Sequence, residues 1–250
     1  MPSPPLPQDE IATPSDWRSI IGLRLKRHLA LKIIGVSAYT WIFFIGYFSL
    51  LREPASAPAL MPLTALDRWI PFQPWMLVPY FSLWLYVGVA PGLQLRFVDL
   101  VSYGFWAALL CLAGLALFYF FPTAIPPLPI DPQGFPGFAV LQGVDASGNA
   151  CPSMHVAFAM FSAIWIDVLL AESRVPVSFR AINALWFLVI AWSTVAIRQH
   201  VVLDAAAGAA LGTIFALMSL ACRPERLARA LRARSTKARE ASAIIARVGP

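Results

Sequence analysis

Two histidines and one aspartate stand where acid, base or nucleophilic chemistry could be done. His200 and Asp204 lie in Arg198-Gln-His200-Val-Val-Leu-Asp204. An i, i+4 spacing puts both on one helix face, one turn apart. A carboxylate there fixes the imidazole tautomer and makes the other ring nitrogen a better nucleophile or base. A structural His–Asp pair stitching helices together is the plain alternative, although an aspartate one turn into an apolar helix is costly without a role or a partner. His155 lies in Cys151-Pro-Ser-Met-His155, ahead of an apolar run. Pro-Ser there is a helix start, with Ser153 as the cap and free N–H groups that attract anions. Arg198 adds a positive charge; its plain alternative is an interfacial residue that snorkels. Two histidines and a carboxylate could ligate a metal, but Asp204 is placed to orient His200, and Arg198 disfavours a cation. No metal or cofactor is therefore expected. Phosphoryl transfer uses every member of the set.

The elements that must position these residues are membrane helices. Of the 250 residues, 59% are hydrophobic and 13% charged, against about 45–50% and about 25% in soluble domains. Mean hydropathy is +0.68. This excludes a soluble enzyme, a disulfide scaffold and a disordered chain. Six apolar runs approach the roughly 20 residues a crossing needs: 33–51, 75–89, 97–121, 153–171, 181–197 and 201–222. The expected fold is all-α, a polytopic six-transmembrane-helix bundle. Ala205-Ala-Ala-Gly-Ala-Ala-Leu-Gly212 in the last run favours close helix packing.

Lys and Arg orient the bundle. With the N-terminus inside, sixteen fall on the inner side and only Arg52, Arg68 and Arg198 on the outer. Both termini are then cytoplasmic, and His155 and His200 share the outer face. The division expected is a basic cytoplasmic segment 1–32, a membrane domain 33–222, and a basic helix 223–250 on the inner surface. Residues 1–16 are expected to be disordered. The basic ends fit anionic lipid heads, so nucleic acid is not a partner. The loop 122–152 is Pro-rich, without Lys or Arg, and reads as an ordered extended cover. Asp99 is expected to pair with Arg96, and Asp167 lies roughly 21 Å from Ser153 along its helix.

With these motifs in hand, the chain resembles the type 2 phosphatidic acid phosphatase superfamily. Pro152-Ser153-Met154-His155 is similar to its Pro-Ser-Gly-His motif, and His200-x3-Asp204 to the end of its Ser-Arg-x5-His-x3-Asp motif. The wording Pro-Ser-Met-His-Val-Ala-Phe-Ala, then His-Val-Val-Leu-Asp-Ala-Ala-Ala-Gly, most resembles the branch containing inositol phosphorylceramide synthases. The likeness spans roughly residues 70–220. Met154 stands in place of the motif's Gly, and Thr194 at the position of its Arg. Arg198, one turn further on, could reach the same site if the fifth helix continues that far. The family's first motif, Lys-x6-Arg-Pro, has no counterpart around Phe118 to Leu128.

The resemblance implies phosphoryl transfer through histidine: His200 as nucleophile, Asp204 orienting it, His155 as general acid, and Ser153 and Arg198 holding phosphate oxygens. Tyr80 and Ser82, in the aromatic stretch 69–86, are further candidates for head-group contact. The expected activity is a metal-independent lipid phosphatase or phosphotransferase. A head-group transferase like the synthase branch is the alternative, and a transporter or inactive scaffold a further one. The expected partners are a lipid phosphate or phospholipid and the bilayer itself. The usage of Ala, Arg and Pro points to a bacterial inner membrane, with the site on the periplasmic side.

Overall fold

A computed structural model describes residues 16–127 and 148–225. The expected disordered start, the central part of the Pro-rich loop and nearly all of the basic C-terminal helix lie outside the described residues.

Eight α-helices are present among the described residues: α1 Trp17–Lys26, α2 Leu29–Arg52, α3 Ala65–Trp69, α4 Leu77–Gly92, α5 Phe97–Phe120, α6 Met154–Glu172, α7 Val177–Ala196 and α8 Val202–Ala221. The described residues are predominantly helical, as the long apolar runs led us to expect. The bounds follow local chemistry. His28, with φ 58°, breaks α1 from α2. A 3-10 turn at Pro74–Met76 opens α4. Arg96 precedes α5 and forms the expected i, i+3 pair with Asp99, Nε to Oδ2 at 2.9 Å. Pro176 opens α7, where a missing N–H costs nothing.

Five of these helices, α2, α5, α6, α7 and α8, are long and apolar enough to cross a membrane. The sequence led us to expect six. The difference is α4, whose 16 residues span about 24 Å, short of a hydrocarbon core of about 30 Å. Large apolar side chains such as Trp41, Ile42, Leu85 and Leu185 are exposed on the bundle's surface. Such an apolar exterior suits lipid rather than water. The chain is a helical membrane protein.

Helix α6 is the central element, packed against α8, α7 and α4, while α2 lies at the edge. Glycines set the tightest contact. A Cβ on Gly208 would sit 2.3 Å from the carbonyl oxygen of Ser153, and one on Gly212 would sit 2.2 Å from that of Ala157. The small-residue stretch of α8 therefore lets its backbone lie directly on α6, as the sequence implied.

The loops at the end bearing His155 and His200 pair with one another. Strand β1 (Ala59–Leu60) runs parallel to β2 (Thr123–Ala124), and Gly148 bridges to Ala124. Cys151 N–H donates to Thr123 Oγ1 at 2.8 Å. The described ends of the Pro-rich loop are thus extended and hydrogen-bonded. At the opposite end, Arg24 and Arg223 both pair with Glu172, tying α1 and the end of α8 to α6.

Candidate functional site

The two motifs are fastened to each other through the backbone. Ser153 is the N-cap of α6, its Oγ accepting from Val156 N–H at 3.3 Å. Its own N–H donates to the carbonyl oxygen of Asp204 at 3.0 Å. With Gly208 against the same turn, the start of α6 and the first turn of α8 form one unit. His155, the second residue of α6, then faces His200, with ring centroids 5.7 Å apart.

Asp204 is fully buried. Its Oδ2 accepts from Val201 N–H at 3.0 Å and lies 3.6 Å from His200 Nδ1. That is ion-pair range, beyond a hydrogen bond. Nδ1 of His200 and Oδ1 of Asp204 are buried with no hydrogen-bond partner among the described residues. The shared helix face expected from the i, i+4 spacing is not formed: α8 begins at Val202 after the extended Val201, so His200 lies ahead of the helix, and the pair meets as a loose contact, of the kind that tightens when charge develops on the imidazole. Backbone geometry also holds His200: its N–H and that of Gln199 both donate to the carbonyl oxygen of Thr194, at 3.0 and 3.1 Å. Thr194, at the resemblance's arginine position, thus acts through its main chain.

Arg198 does not extend α7 toward the histidines. The helix ends at Ala196, and Arg198 takes a left-handed backbone with φ 60°. Its Nη1 donates to the carbonyl oxygen of Asp67 at 2.6 Å, and its Nη2 to that of Ile70. The guanidinium clamps the 64–70 corner against the α7–α8 turn.

That corner carries a residue the sequence reading missed. Asp67, almost fully buried, accepts from Thr64 N–H at 2.7 Å and Thr64 Oγ1 at 2.6 Å through Oδ2. Its Oδ1 accepts from Val202 N–H at 2.8 Å. It caps α3 and α8 together. Burial raises its pKa, but these hydrogen bonds and nearby Arg198 outweigh burial and hold it below the usual carboxylate value. The signal was present: Thr64-Ala-Leu-Asp67 has capping-box spacing. Burial, with Asp204 nearby, pushes the Cys151 thiol up, which keeps it a neutral neighbour of the site.

Tyr80, deeply buried on α4, stacks on His155 with centroids 4.6 Å apart, and Trp84 meets the same ring edge-on at 5.9 Å. Both line a cavity of about 740 Å³ into which His155 and His200 also face. Ser82 is not among the cavity's lining residues, and its Oγ donates to the carbonyl oxygen of Pro79 at 2.6 Å. Ser153 is fully buried, its hydroxyl engaged as the cap. Met154 fills a notch on α5, where a Cβ on Gly114 would lie 2.3 Å from its sulfur. Among the described residues, no three His, Cys, Asp or Glu side chains gather as a metal site.

The geometry brings His155, His200, Asp204 and Tyr80 together and directs Arg198, Ser82 and the Ser153 hydroxyl to backbone partners. Two facing imidazoles, one backed by a carboxylate and both opening on an apolar chamber, suit a nucleophile working against a proton donor. The family model of the PAP2 superfamily matches residues 120–228. His155, His200 and Asp204 lie inside that stretch, and Tyr80 and Asp67 outside it. No curated protein and no solved structure gives a significant match to the chain.

Proposed function

We propose that this protein is a membrane enzyme that transfers phosphoryl groups of lipids through a phosphohistidine on His200. Members of the PAP2 superfamily are in general phosphatases and phosphotransferases. The observation that carries the reading is the 5.7 Å approach of His155 and His200 beside buried Asp204. Nε2 of His200 attacks phosphorus as the bond from phosphorus to the lipid oxygen breaks, and His155 gives its proton to that oxygen. Asp204 stabilises the charge that builds on the imidazole. An acceptor then attacks phosphorus, breaks the P–N bond and returns its proton to His155. Water as acceptor makes a phosphatase and a lipid alcohol a head-group transferase. The absence of a basic residue between Phe118 and Leu128 favours the second, since hydrolysis of a phosphomonoester must neutralise more charge.

The same reading takes residues 33–222 as one catalytic domain with both termini cytoplasmic and the site on the outer face. The Lys and Arg asymmetry supports this. The sixth crossing is α4 with the turn ahead of it. Three 3-10 residues add about 6 Å to its 24 Å, which matches the hydrocarbon thickness.

The test uses purified protein and a His200→Ala variant, incubated with lipid phosphates and phospholipids in EDTA, with and without alcohol acceptors. Free phosphate and lipid products are read by mass spectrometry, and an acid-labile phosphoryl adduct is sought on trapped enzyme. Turnover by wild type alone, with the adduct on His200, is expected. Turnover retained in His200→Ala rejects the mechanism.

A further inference from the structure

The cavity reaches far beyond the histidines. It is bounded by α2, α4, α5 and α6, from Asn149, His155 and His200 at one end to Lys32 and Phe97 at the other. At 1.5 Å per residue it runs about 24 Å along α2, from Lys32 to Phe48, and about 32 Å along α5, from Phe97 to Phe118. That is the whole hydrocarbon layer, roughly twice one leaflet. Its walls are almost entirely apolar. Two of its polar side chains are engaged with backbone: Thr40 Oγ1 donates to Val36 O at 2.9 Å, and Asn149 Nδ2 to Tyr47 O at 3.0 Å; Tyr39, Tyr103 and Cys111 line it partway along. Lys32 closes the far end, its Nζ donating to the carbonyl oxygens of Arg24 and Gly92, both at 2.7 Å. The base is thus capped by a cation engaged with the protein's own backbone.

A cavity with both histidines at one end and mainly apolar walls elsewhere fits an amphiphile with one polar head. Building on the phosphoryl-transfer reading, we propose that the cavity holds the substrate's hydrocarbon chain along its full length. The enzyme would then select phosphorylated lipids whose chain passes the bilayer midplane. Gly35 on α2 and Gly104 on α5 line the far half, and a Cβ on either meets nothing within 4 Å. A larger side chain there enters the cavity without touching the histidines.

The test uses alkyl phosphates of about 8 and about 20 carbons, each with a photoreactive diazirine on its last carbon. Labelled peptides are mapped on the full-length protein by mass spectrometry. The long probe is expected to label residues 31–36 and 97–104, and the short one only the end near His155. Labels from the long probe confined to lipid-facing positions of α7 and α8 overturn the proposal. Each buried methylene is worth up to about fourfold in binding, so KM should fall well beyond leaflet-length chains. Gly35→Leu and Gly104→Leu, which favour helix, should reduce the long-over-short preference in kcat/KM at least tenfold. An unchanged preference sinks the idea. Labelling does not depend on turnover. Turnover retained in His200→Ala, with labels at 31–36, would remove the phosphohistidine and keep the chain site. Loss of turnover with labels scattered would do the reverse.

Discussion

The N–H of Ser153 donates to the carbonyl oxygen of Asp204 across 3.0 Å. This bond joins the cap two residues before His155 to the residue that backs His200, so neither motif moves without the other. It exists because α8 carries glycine where it crosses α6. Gly208→Ala forces a Cβ to 2.3 Å from the Ser153 carbonyl, which is backbone and cannot swing away. We expect a loss of roughly 1–3 kcal/mol, read as a lower melting temperature in detergent, and a larger proportional loss of kcat. Ala209→Gly, one residue along, should cost only about 1 kcal/mol of helix propensity. Equal effects of the two would show that the crossing does not set the site.

Asp204→Asn isolates the carboxylate. Asparagine retains an oxygen for the Val201 N–H, so the fold of the turn survives. What disappears is the negative charge 3.6 Å from His200 Nδ1. By analogy with aspartates that orient catalytic histidines, kcat should fall by about 10²–10⁴ with KM little changed. A loss under threefold would make the pair structural.

His155 is assigned the leaving-group proton, and leaving groups differ in their need of one. His155→Ala should slow transfer from an alkyl phosphate by about 10²–10⁴. The same variant should act on a nitrophenyl phosphate far closer to the wild-type rate, since that phenolate departs unprotonated. A uniform loss across both substrates would place His155 in binding, with its stacked partner Tyr80.

Asp67 touches neither histidine, yet it fastens the start of α8 from 135 residues away. Its carboxyl pKa is held below the usual value, so the folded state binds that proton less readily than the unfolded one. The stability it contributes is present above about pH 4 and is lost as pH falls through the lowered pKa. Asp67→Asn should flatten the acid limb of the stability curve and lower stability at neutral pH. An unchanged acid limb in the variant would mean that other carboxylates control it. Arg198→Ala should affect the same α7–α8 turn, since its guanidinium holds the Asp67 and Ile70 carbonyls.

Much of this was written in the chain. The helix limits lie within a few residues of the apolar runs, because Pro74, Pro176 and Ser153 punctuate them. The Asp99–Arg96 pair and the close packing of α8 were legible from spacing alone. Three features were not. The pairing of Ala59–Leu60 with Thr123–Ala124 joins short segments over 60 residues apart, and neither carries a strand pattern. The direction of Arg198 depends on where α7 stops and on one left-handed residue, and apolar periodicity is silent on both. The run 75–89 read as a short crossing, but apolar content does not show that its first turn is 3-10 or that α4 continues through Pro91 to Gly92. Asp67 alone left a usable local signal, in the spacing of Thr64 and Asp67.

Met154 gives the last expectation. It occupies the place of a glycine in the motif that this stretch resembles, and its side chain fills the notch at Gly114 on α5. The two positions have exchanged volumes: the bulk absent from α5 is supplied by α6. Gly114→Ala should then be destabilising on its own, by roughly 1–3 kcal/mol, because the new Cβ meets Met154 at 2.3 Å. Met154→Ala should cost about 2–5 kcal/mol by opening a cavity. The double variant should be less destabilised than the sum, since each change relieves the other's fault. A coupling of at least about 0.5 kcal/mol in a double-mutant cycle is the expected result. Strict additivity would mean that the methionine yields without cost and that its packing on Gly114 does not fix the position of His155.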